Sequence, residues 1–148
     1  MEIRRFKSKD AEKVSYLISK TLREINAKDY PLRIIENVES SYSPSKLIEK
    51  SKYRDVFVAE ESDEILGTIS IEGDVVFSVF IESNYQRKGI GKKMIEYIES
   101  NAKKKGIKTL KVSSSITSFE FYKKLGYKKI KSTIHKLLGE TILMSKPI

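Results

Sequence analysis

The chain has 148 residues, enough for one domain over residues 1–148 with its own core, and its 39% hydrophobic and 33% charged residues are typical of a folded protein. The absence of cysteine excludes disulfides, thiolate zinc sites and a cysteine nucleophile, and it favours a cytoplasmic location. The single histidine, His135, excludes metal sites built on several histidines, so we expect no metal. No apolar run reaches the length of a membrane-spanning helix, and no signal peptide is recognisable.

The net charge of +9 allows two interpretations. A lysine-rich surface keeps a protein soluble, whereas a local excess of charge attracts an anionic partner. Basic residues are concentrated between residues 87 and 111 and again between 123 and 136. No recognition element for nucleic acid accompanies them, so we expect no nucleic-acid partner and favour a phosphorylated small molecule.

The first 50 residues predict a short strand followed by helices. After a strand over residues 1–6, Ser8 is expected to cap a helix that starts near Lys9. Its apolar face recurs at helical spacing and comprises Val14, Leu17, Ile18, Thr21, Leu22 and Ile25. Residues 26–42, interrupted by Pro31, are compatible with a short helix or a covering loop. Ser43 and Pro44 are typical of a helix start.

The middle of the chain predicts an antiparallel meander of three strands, Asp55–Glu60, Ile65–Ile71 and Val75–Ile81, joined by short polar turns. A helix over Lys92–Lys105 and a strand over Leu110–Ser113 follow. Because a strand–helix–strand unit crosses over with right-handed geometry, the strands on either side of this helix are expected to be parallel.

A short helix over residues 117–125 and two strands over residues 127–134 and 141–145 complete the chain. The predicted fold class is α/β, with a mixed, mostly antiparallel sheet of about seven strands, one parallel pair and about four helices.

The segment Gln86–Gly91, here called the glycine loop, lies between the third strand of the meander and the following helix. A loop in this position directs free backbone N–H groups to one point, with the positive end of the helix dipole behind them. Two glycines permit backbone angles and close approaches that a Cβ hinders. The loop is therefore a predicted anion site, most plausibly for phosphate.

Two common nucleotide motifs do not match this loop. A P-loop of nucleotide triphosphatases needs serine or threonine after its Gly-Lys pair, but Lys93 follows Gly91 and Lys92. A dinucleotide fingerprint needs a third glycine, and Met94 occupies that position.

A third motif does match, because the loop has the pattern Gln/Arg-x-x-Gly-x-Gly/Ala. Downstream, Phe121–Tyr127 (Phe-Tyr-Lys-Lys-Leu-Gly-Tyr) is similar to a Phe-Tyr-x-x-Leu-Gly-Phe/Tyr segment. Together, in this order and over nearly the whole chain, the two motifs resemble the GNAT (Gcn5-related N-acetyltransferase) superfamily.

The resemblance implies acetyl-CoA as acyl donor, with its pyrophosphate on the N–H groups of Arg87 to Lys92. It also implies that a bulge splays the parallel central pair of strands and that the pantetheine arm pairs with the strand edge at Ile81. The residues expected to bind the donor are Phe80, Ile81, Gln86, Arg87, Lys88, Gly89, Ile90, Gly91, Lys92, Ser115 and Tyr122.

By the same resemblance, Tyr122 is the expected catalytic residue: it donates a proton or a hydrogen bond to the leaving thiolate. Spacing alone also fits a packing role for Tyr122 beside Phe119 and Leu125. Ser115 stands where family members often have asparagine, so a hydroxyl replaces the amide side chain that contacts the donor in those members.

The acceptor is expected to be a primary amine that attacks directly in a ternary complex, but the sequence does not identify it. In this fold residues 26–42 flank the acceptor side, so Asn26, Asp29, Tyr30 and Tyr42 are candidate contacts, with core covering as the alternative. No general base is assigned: Val75 stands where histone-type members have glutamate, and a lone histidine is more often structural. A homodimer is a further expectation, and a non-catalytic acyl-CoA-binding module is the alternative function.

Overall fold

The computed structural model describes all 148 residues and contains a seven-stranded sheet with the order β1-β2-β3-β4-β5-β7-β6. Only the β4–β5 pair is parallel, and all the other neighbours are antiparallel. The strands are β1 (Glu2–Arg5), β2 (Asp55–Glu61), β3 (Glu64–Glu72), β4 (Val75–Ile81), β5 (Thr109–Ser115), β6 (Lys128–His135) and β7 (Gly139–Pro147). The predicted fold class is therefore confirmed.

Five helices accompany the sheet, one more than the sequence predicts, and none is long and apolar enough to cross a membrane. They are α1 (Ala11–Glu24), α2 (Leu32–Ser41), α3 (Pro44–Lys50), α4 (Ile90–Lys104) and α5 (Phe119–Lys124). The additional helix is α2, which lies in the segment whose sequence fits a helix or a loop. Its Ile34 and Ile35 are buried, so packing against α1 favours the helix.

The start of α1 corrects a prediction. Ser8 does not cap the helix; it opens a 3₁₀ turn over Ser8–Asp10, and α1 begins at Ala11. Asp10 stands at the N-cap position of α1 but makes no side-chain bond to that helix; its carboxylate instead accepts a hydrogen bond of 2.8 Å from the N–H of Lys7, across the 3₁₀ turn. At α3, Pro44 occupies the first turn as predicted, but the Ser43 hydroxyl makes no capping bond.

The sheet separates two hydrophobic clusters. One cluster joins the sheet to α4 and α5, with Met94, Ile95 and Ile98 of α4 almost fully buried. The other contains Val14 and Ile18 of α1 with residues of α2, α3 and β2. Helices therefore cover both faces, and β4 and β5 lie in the middle of the sheet, where α4 connects them.

Candidate functional site

The parallel strands β4 and β5 are paired over a short length only. Their ladder joins Val75 to Lys111 and Val76 to Val112, and no further pair follows. Although β4 is the central strand, the side chain of Val79 is only half buried. The strands diverge beyond this ladder, and the opening between them is here called the gap.

A β-bulge in β4 lies beside the gap. The pairing of β4 with β3 shifts by one residue between Phe77 and Phe80, so Ser78 and Val79 together face a single residue of β3. Ser78 has a φ of 57°, in the left-handed region that a side chain disfavours. The bulge and the splayed pair, both implied by the family resemblance, are present in the structure.

The backbone of Ile81 is directed into the gap. The N–H of Glu82 donates to the carbonyl of Leu66 at 2.8 Å, and alternation along an antiparallel pair turns the groups of Ile81 the other way. The Ile81 carbonyl already accepts hydrogen bonds from Gln86 Nε2 at 2.7 Å and from Thr21 Oγ1 at 3.3 Å. A carbonyl oxygen has two lone pairs, so the N–H of Ile81 is the group that remains for a ligand.

Thr21 is a residue of this site that the sequence does not single out. It lies on the apolar face of α1 and is buried, and its single hydroxyl hydrogen is shared between the Leu17 carbonyl at 2.8 Å and the Ile81 carbonyl at 3.3 Å. A threonine within an apolar helical stripe is the signal, because a buried hydroxyl needs a hydrogen-bond partner.

The glycine loop turns the chain from β4 into α4. Arg87 and Gly89 both have positive φ, 61° and 81°, and α4 begins at Ile90, two residues earlier than Lys92, where the sequence places its start. The backbone N–H groups from Arg87 to Lys92 donate to no protein acceptor. A run of open N–H groups at the positive end of a helix is suited to an anion.

Exposed cations surround these N–H groups. The side chains of Arg87, Lys88 and Lys92 are all exposed. Lys88 Nζ lies 5.3 Å from the centroid of the Tyr85 ring, and Lys92 Nζ lies 3.9 Å from a carboxylate oxygen of Glu96. Their charges add a longer-range attraction for an anion that the backbone would hold.

Gly91 allows α5 to pack against the first turn of α4. A Cβ at this position would lie 3.0 Å from Phe121 Cζ and 3.6 Å from Ile81 Cγ1. The close contact places α5, which carries Tyr122, next to the glycine loop and to the end of β4. The two sequence motifs, far apart in the chain, are thus adjacent in space.

Tyr122 combines a buried ring with an unpaired hydroxyl. The residue is 3% exposed, and its ring packs edge-to-face on Phe121 and Tyr127 with centroid distances of 5.1 and 5.7 Å. Burial raises the pKa of Tyr122, and no protein group hydrogen-bonds its hydroxyl. The hydroxyl therefore remains protonated and available as a donor at neutral pH.

Ser115 lies at the end of β5, where its hydroxyl holds the turn into α5. It accepts a hydrogen bond from the Ser118 N–H at 3.1 Å and lies 3.2 Å from the Ser118 hydroxyl. The Ser115 hydroxyl is thus already hydrogen-bonded within the local turn. Its direct contact with acetyl-CoA stays a prediction.

Of the four candidate acceptor contacts, Tyr42 is hydrogen-bonded through its hydroxyl to that of Ser78, and the other three have different surroundings. Tyr30 donates its hydroxyl hydrogen to the Glu140 carbonyl and accepts from the Ile116 N–H, both at 2.7 Å, so its polar capacity is used within the protein. Asp29 accepts from the Thr117 hydroxyl at 2.8 Å. Asn26 is 7% exposed, and its side chain makes no hydrogen bond with the protein. Of the three, Asn26 alone retains its full polar capacity for a ligand.

Three carboxylates flank β4, and each is paired with a cation. Glu82 pairs with Lys20 and accepts from the N–H of Asn84. Burial opposes these contacts, but together they hold the pKa of Glu82 below its ordinary value, which weakens it as a base. Glu72 lies 3.3 Å from Arg54, and Asp74 lies 3.4 Å from Lys111.

His135 is the last residue of β6, at the start of the β6–β7 turn. Its Nδ1 atom accepts hydrogen bonds from the N–H groups of Leu137 at 3.1 Å and Leu138 at 3.2 Å. These bonds give it a structural role in the turn. No group of three or more His, Cys, Asp or Glu side chains lies close enough together to hold a metal ion.

Comparison with known proteins agrees with this architecture. Residues 26–145 match the model of the acetyltransferase (GNAT) domain family. A GCN5-related N-acetyltransferase from Rhodopseudomonas palustris superposes with a TM-score of 0.93 at 19% identity, covering 99% of this chain and 95% of that one.

Two further similar structures contain coenzyme A. The PaiA N-acetyltransferase from Thermoplasma acidophilum, in complex with coenzyme A, has a TM-score of 0.82 and 24% identity, over 99% and 98% of the two chains. An aminoglycoside 6′-N-acetyltransferase complexed with coenzyme A has a TM-score of 0.71 and 18% identity, over 99% and 97%. At these identities the likeness concerns the fold, whereas the family match covers most of the sequence: the chain belongs to the GNAT family of acetyltransferases.

Proposed function

We propose that this protein is an acetyl-CoA-dependent N-acetyltransferase that transfers an acetyl group to a primary amine by direct attack in a ternary complex. The observation that carries the proposal is the juxtaposition of two unpaired sets of backbone groups. One is the run of N–H groups from Arg87 to Lys92, and the other is the edge of β4 opened by the bulge. An elongated ligand with phosphates at one end fits both.

In this proposal the pyrophosphate of acetyl-CoA binds the N–H groups of the glycine loop and the pantetheine arm occupies the gap. Gln86 links the glycine loop to the gap, because its side chain donates a hydrogen bond to the Ile81 carbonyl at the end of β4. The binding set is the one expected from the sequence: Phe80, Ile81, Gln86, Arg87, Lys88, Gly89, Ile90, Gly91, Lys92, Ser115 and Tyr122. The coenzyme A complexes of structurally similar proteins support this choice of donor.

The donor supplies a thioester whose carbonyl the amine attacks. The N–H groups of Val79 and Ile81, on either side of the β3-paired Phe80, face the gap and are suited to polarise that carbonyl. The chain thus contributes oriented dipoles in a site that excludes part of the water, and it holds the reactants together.

Tyr122 is proposed to stabilise the leaving sulfur. Burial raises its pKa above the ordinary tyrosine value, which is itself above the value of about 8.5 for a thiol. Complete proton transfer to a thiolate is therefore unfavourable. A hydrogen bond from the Tyr122 hydroxyl to the sulfur is the favoured role, with the final proton coming from solvent.

The amine must lose a proton without help from an identified base. Glu72, Asp74 and Glu82 are all ion-paired, and His135 is engaged in its turn. The reaction is therefore expected to depend on the neutral fraction of the amine, and its rate should rise with pH toward the pKa of that amine.

The same lack of a base favours a second candidate, a non-catalytic module that binds acyl-CoA. Calorimetry with acetyl-CoA and with CoA tests what the two candidates share, and absence of binding at sub-millimolar concentration would reject both. Thioester cleavage is then followed over a panel of small amines, polyamines and lysine peptides. Amine-dependent release of CoA supports the enzyme, whereas tight binding without release for every amine supports the module.

A cytoplasmic location and a homodimer, both expected from the sequence, belong to this proposal. Cell fractionation tests the first, and light scattering after gel filtration tests the second.

A further inference from the structure

Ser78, within the bulge of β4, has an unusual backbone conformation for a residue with a side chain. Its φ of 57° is disfavoured relative to an ordinary strand conformation, because the side chain crowds the backbone in the left-handed region. Glycine would adopt this conformation freely. A specific contact must therefore hold serine there, and the hydroxyl of Ser78 is hydrogen-bonded to the hydroxyl of Tyr42.

Tyr42 is itself fixed in position. It directly follows α2, and its ring packs edge-to-face on Phe80 with a centroid distance of 5.8 Å. Lys50 Nζ lies 4.9 Å from the centroid of the Tyr42 ring and donates to the Ser41 carbonyl at 2.7 Å. These contacts restrict the tyrosine to an orientation in which its hydroxyl reaches the bulge.

This contact supports the bulge from the face of the sheet that α1 and α3 cover. Ser78 and Tyr42 line a small pocket together with Ile18 of α1 and Leu47 of α3. The glycine loop leads into α4, which packs on the opposite face. The Tyr42 hydroxyl therefore acts on β4 from the side away from the proposed phosphate site.

We propose that Tyr42 is a positioning residue for acetyl transfer: its hydrogen bond keeps Ser78 in the left-handed conformation that directs the N–H groups of Val79 and Ile81 into the gap. The inference rests on the proposed function, because it assigns those N–H groups to the thioester carbonyl. Without the bond, β4 can relax toward regular pairing, and the N–H groups leave their productive directions. Binding of the phosphates, which lies elsewhere, is unaffected.

The first test compares Tyr42→Phe with wild type. We expect kcat to fall about 10-fold, since misdirected donors lose part of their transition-state stabilisation. The Kd of CoA, measured by calorimetry, should change less than about twofold because the glycine loop is intact. Tyr16→Phe, an exposed tyrosine on α1, is the matched control and should leave both values unchanged.

The second test uses Ser78→Gly, in which the bulge conformation no longer costs energy. In this background Tyr42→Phe should lower kcat less than about twofold. An unchanged kcat for Tyr42→Phe in the wild-type background would overturn the inference. An equal loss in both backgrounds would also overturn it, because Tyr42 would then act by another route.

A third measurement does not depend on catalysis. In ¹⁵N-labelled protein without ligand, Tyr42→Phe should shift the amide resonances of Val79 and Ile81, and those of Ile90 to Lys92 should stay in place. Unchanged resonances at Val79 and Ile81 would reject the positioning role. If wild type binds no acetyl-CoA, the proposed function fails, and the amide shifts still decide whether Tyr42 holds the bulge.

Discussion

The glycine loop and the acceptor-side segment, residues 26–42, differ in how they use their polar groups. In the loop, consecutive N–H groups from Arg87 to Lys92 have no protein acceptor. In the segment, the Tyr30 hydroxyl donates to the Glu140 carbonyl and accepts from the Ile116 N–H, so both of its hydrogen-bonding functions are used within the protein. The unpaired N–H groups of the loop are available to bind a ligand. The hydrogen-bonded side chains of the segment instead connect elements of the fold.

The acceptor-side segment is joined to the β6–β7 turn by several such bonds. Asn37 Nδ2 donates to the Leu137 carbonyl at 2.9 Å, and Arg33 donates to the Lys136 carbonyl at 3.3 Å. Gly139 packs directly on α2, because a Cβ there would lie 2.9 Å from Ile34 Cγ2. The turn and the segment thus form one wall, and within it the buried side chain of Asn26 makes no hydrogen bond with the protein.

The largest expected effect concerns Tyr122, which lies on α5 next to the glycine loop. Tyr122→Phe should lower kcat about 100-fold, because the leaving sulfur loses its hydrogen-bond donor. The Kd of acetyl-CoA should stay within about twofold, since the phosphate contacts remain. Steady-state kinetics and calorimetry measure the two quantities, with the exposed Tyr53→Phe as control. A normal kcat would return Tyr122 to a packing role.

Tyr30→Phe should act on stability. It leaves the Glu140 carbonyl and the Ile116 N–H without their partner, at a cost of about 2 kcal/mol in the free energy of unfolding. Urea denaturation measures this loss. Asn26→Ala is the matched comparison, because an amide without protein hydrogen bonds should change stability by less than about 1 kcal/mol.

The variants Tyr30→Phe and Asn26→Ala also test which of the two residues contacts the acceptor amine. If Asn26 contacts the amine, Asn26→Ala should raise the KM for the amine identified in the panel and leave the KM for acetyl-CoA unchanged. If the KM for the amine rises in Tyr30→Phe but not in Asn26→Ala, then Tyr30 rather than Asn26 contacts the amine.

Removing the exposed cations of the loop should weaken the donor moderately. The triple variant Arg87→Ala, Lys88→Ala, Lys92→Ala should bind CoA about 10-fold less tightly at low salt, with a smaller difference at high salt. A second triple variant at Lys123, Lys124 and Lys128 changes the net charge equally. Equal weakening in both would mean that the overall charge of +9, rather than the loop, attracts the donor.

The smallest effect is a pH dependence of α2. Hydrogen bonds from Arg23 hold the pKa of Glu39 below its ordinary value, against the effect of burial. A lowered pKa in the folded state means that this stabilisation is present at neutral pH and is lost as pH falls through that pKa. The amide protection factors of α2 should therefore fall in acid before those of α4, and Glu39→Gln should remove the difference.

The element order and the glycine loop could be predicted because their signals are local. Alternating apolar residues define the meander, and the spacing of Gln86, Gly89 and Gly91 between a strand and a helix defines the anion site. The same loop distinguishes the family from two other phosphate-binding patterns. Local propensity therefore determined the fold class, and the two motifs implied the proposed donor through the family that they resemble.

Tertiary contacts decided the rest. The left-handed Ser78 has no sequence signal, since its conformation depends on the bulge and on Tyr42, which is 36 residues away in the chain. The helix over Leu32–Ser41 forms because its apolar face meets α1. The Ile81 carbonyl is occupied because Thr21, 60 residues earlier, reaches it. Long-range packing decides which polar groups stay without a hydrogen-bond partner in the protein. Those groups are the ones that can contact an acceptor.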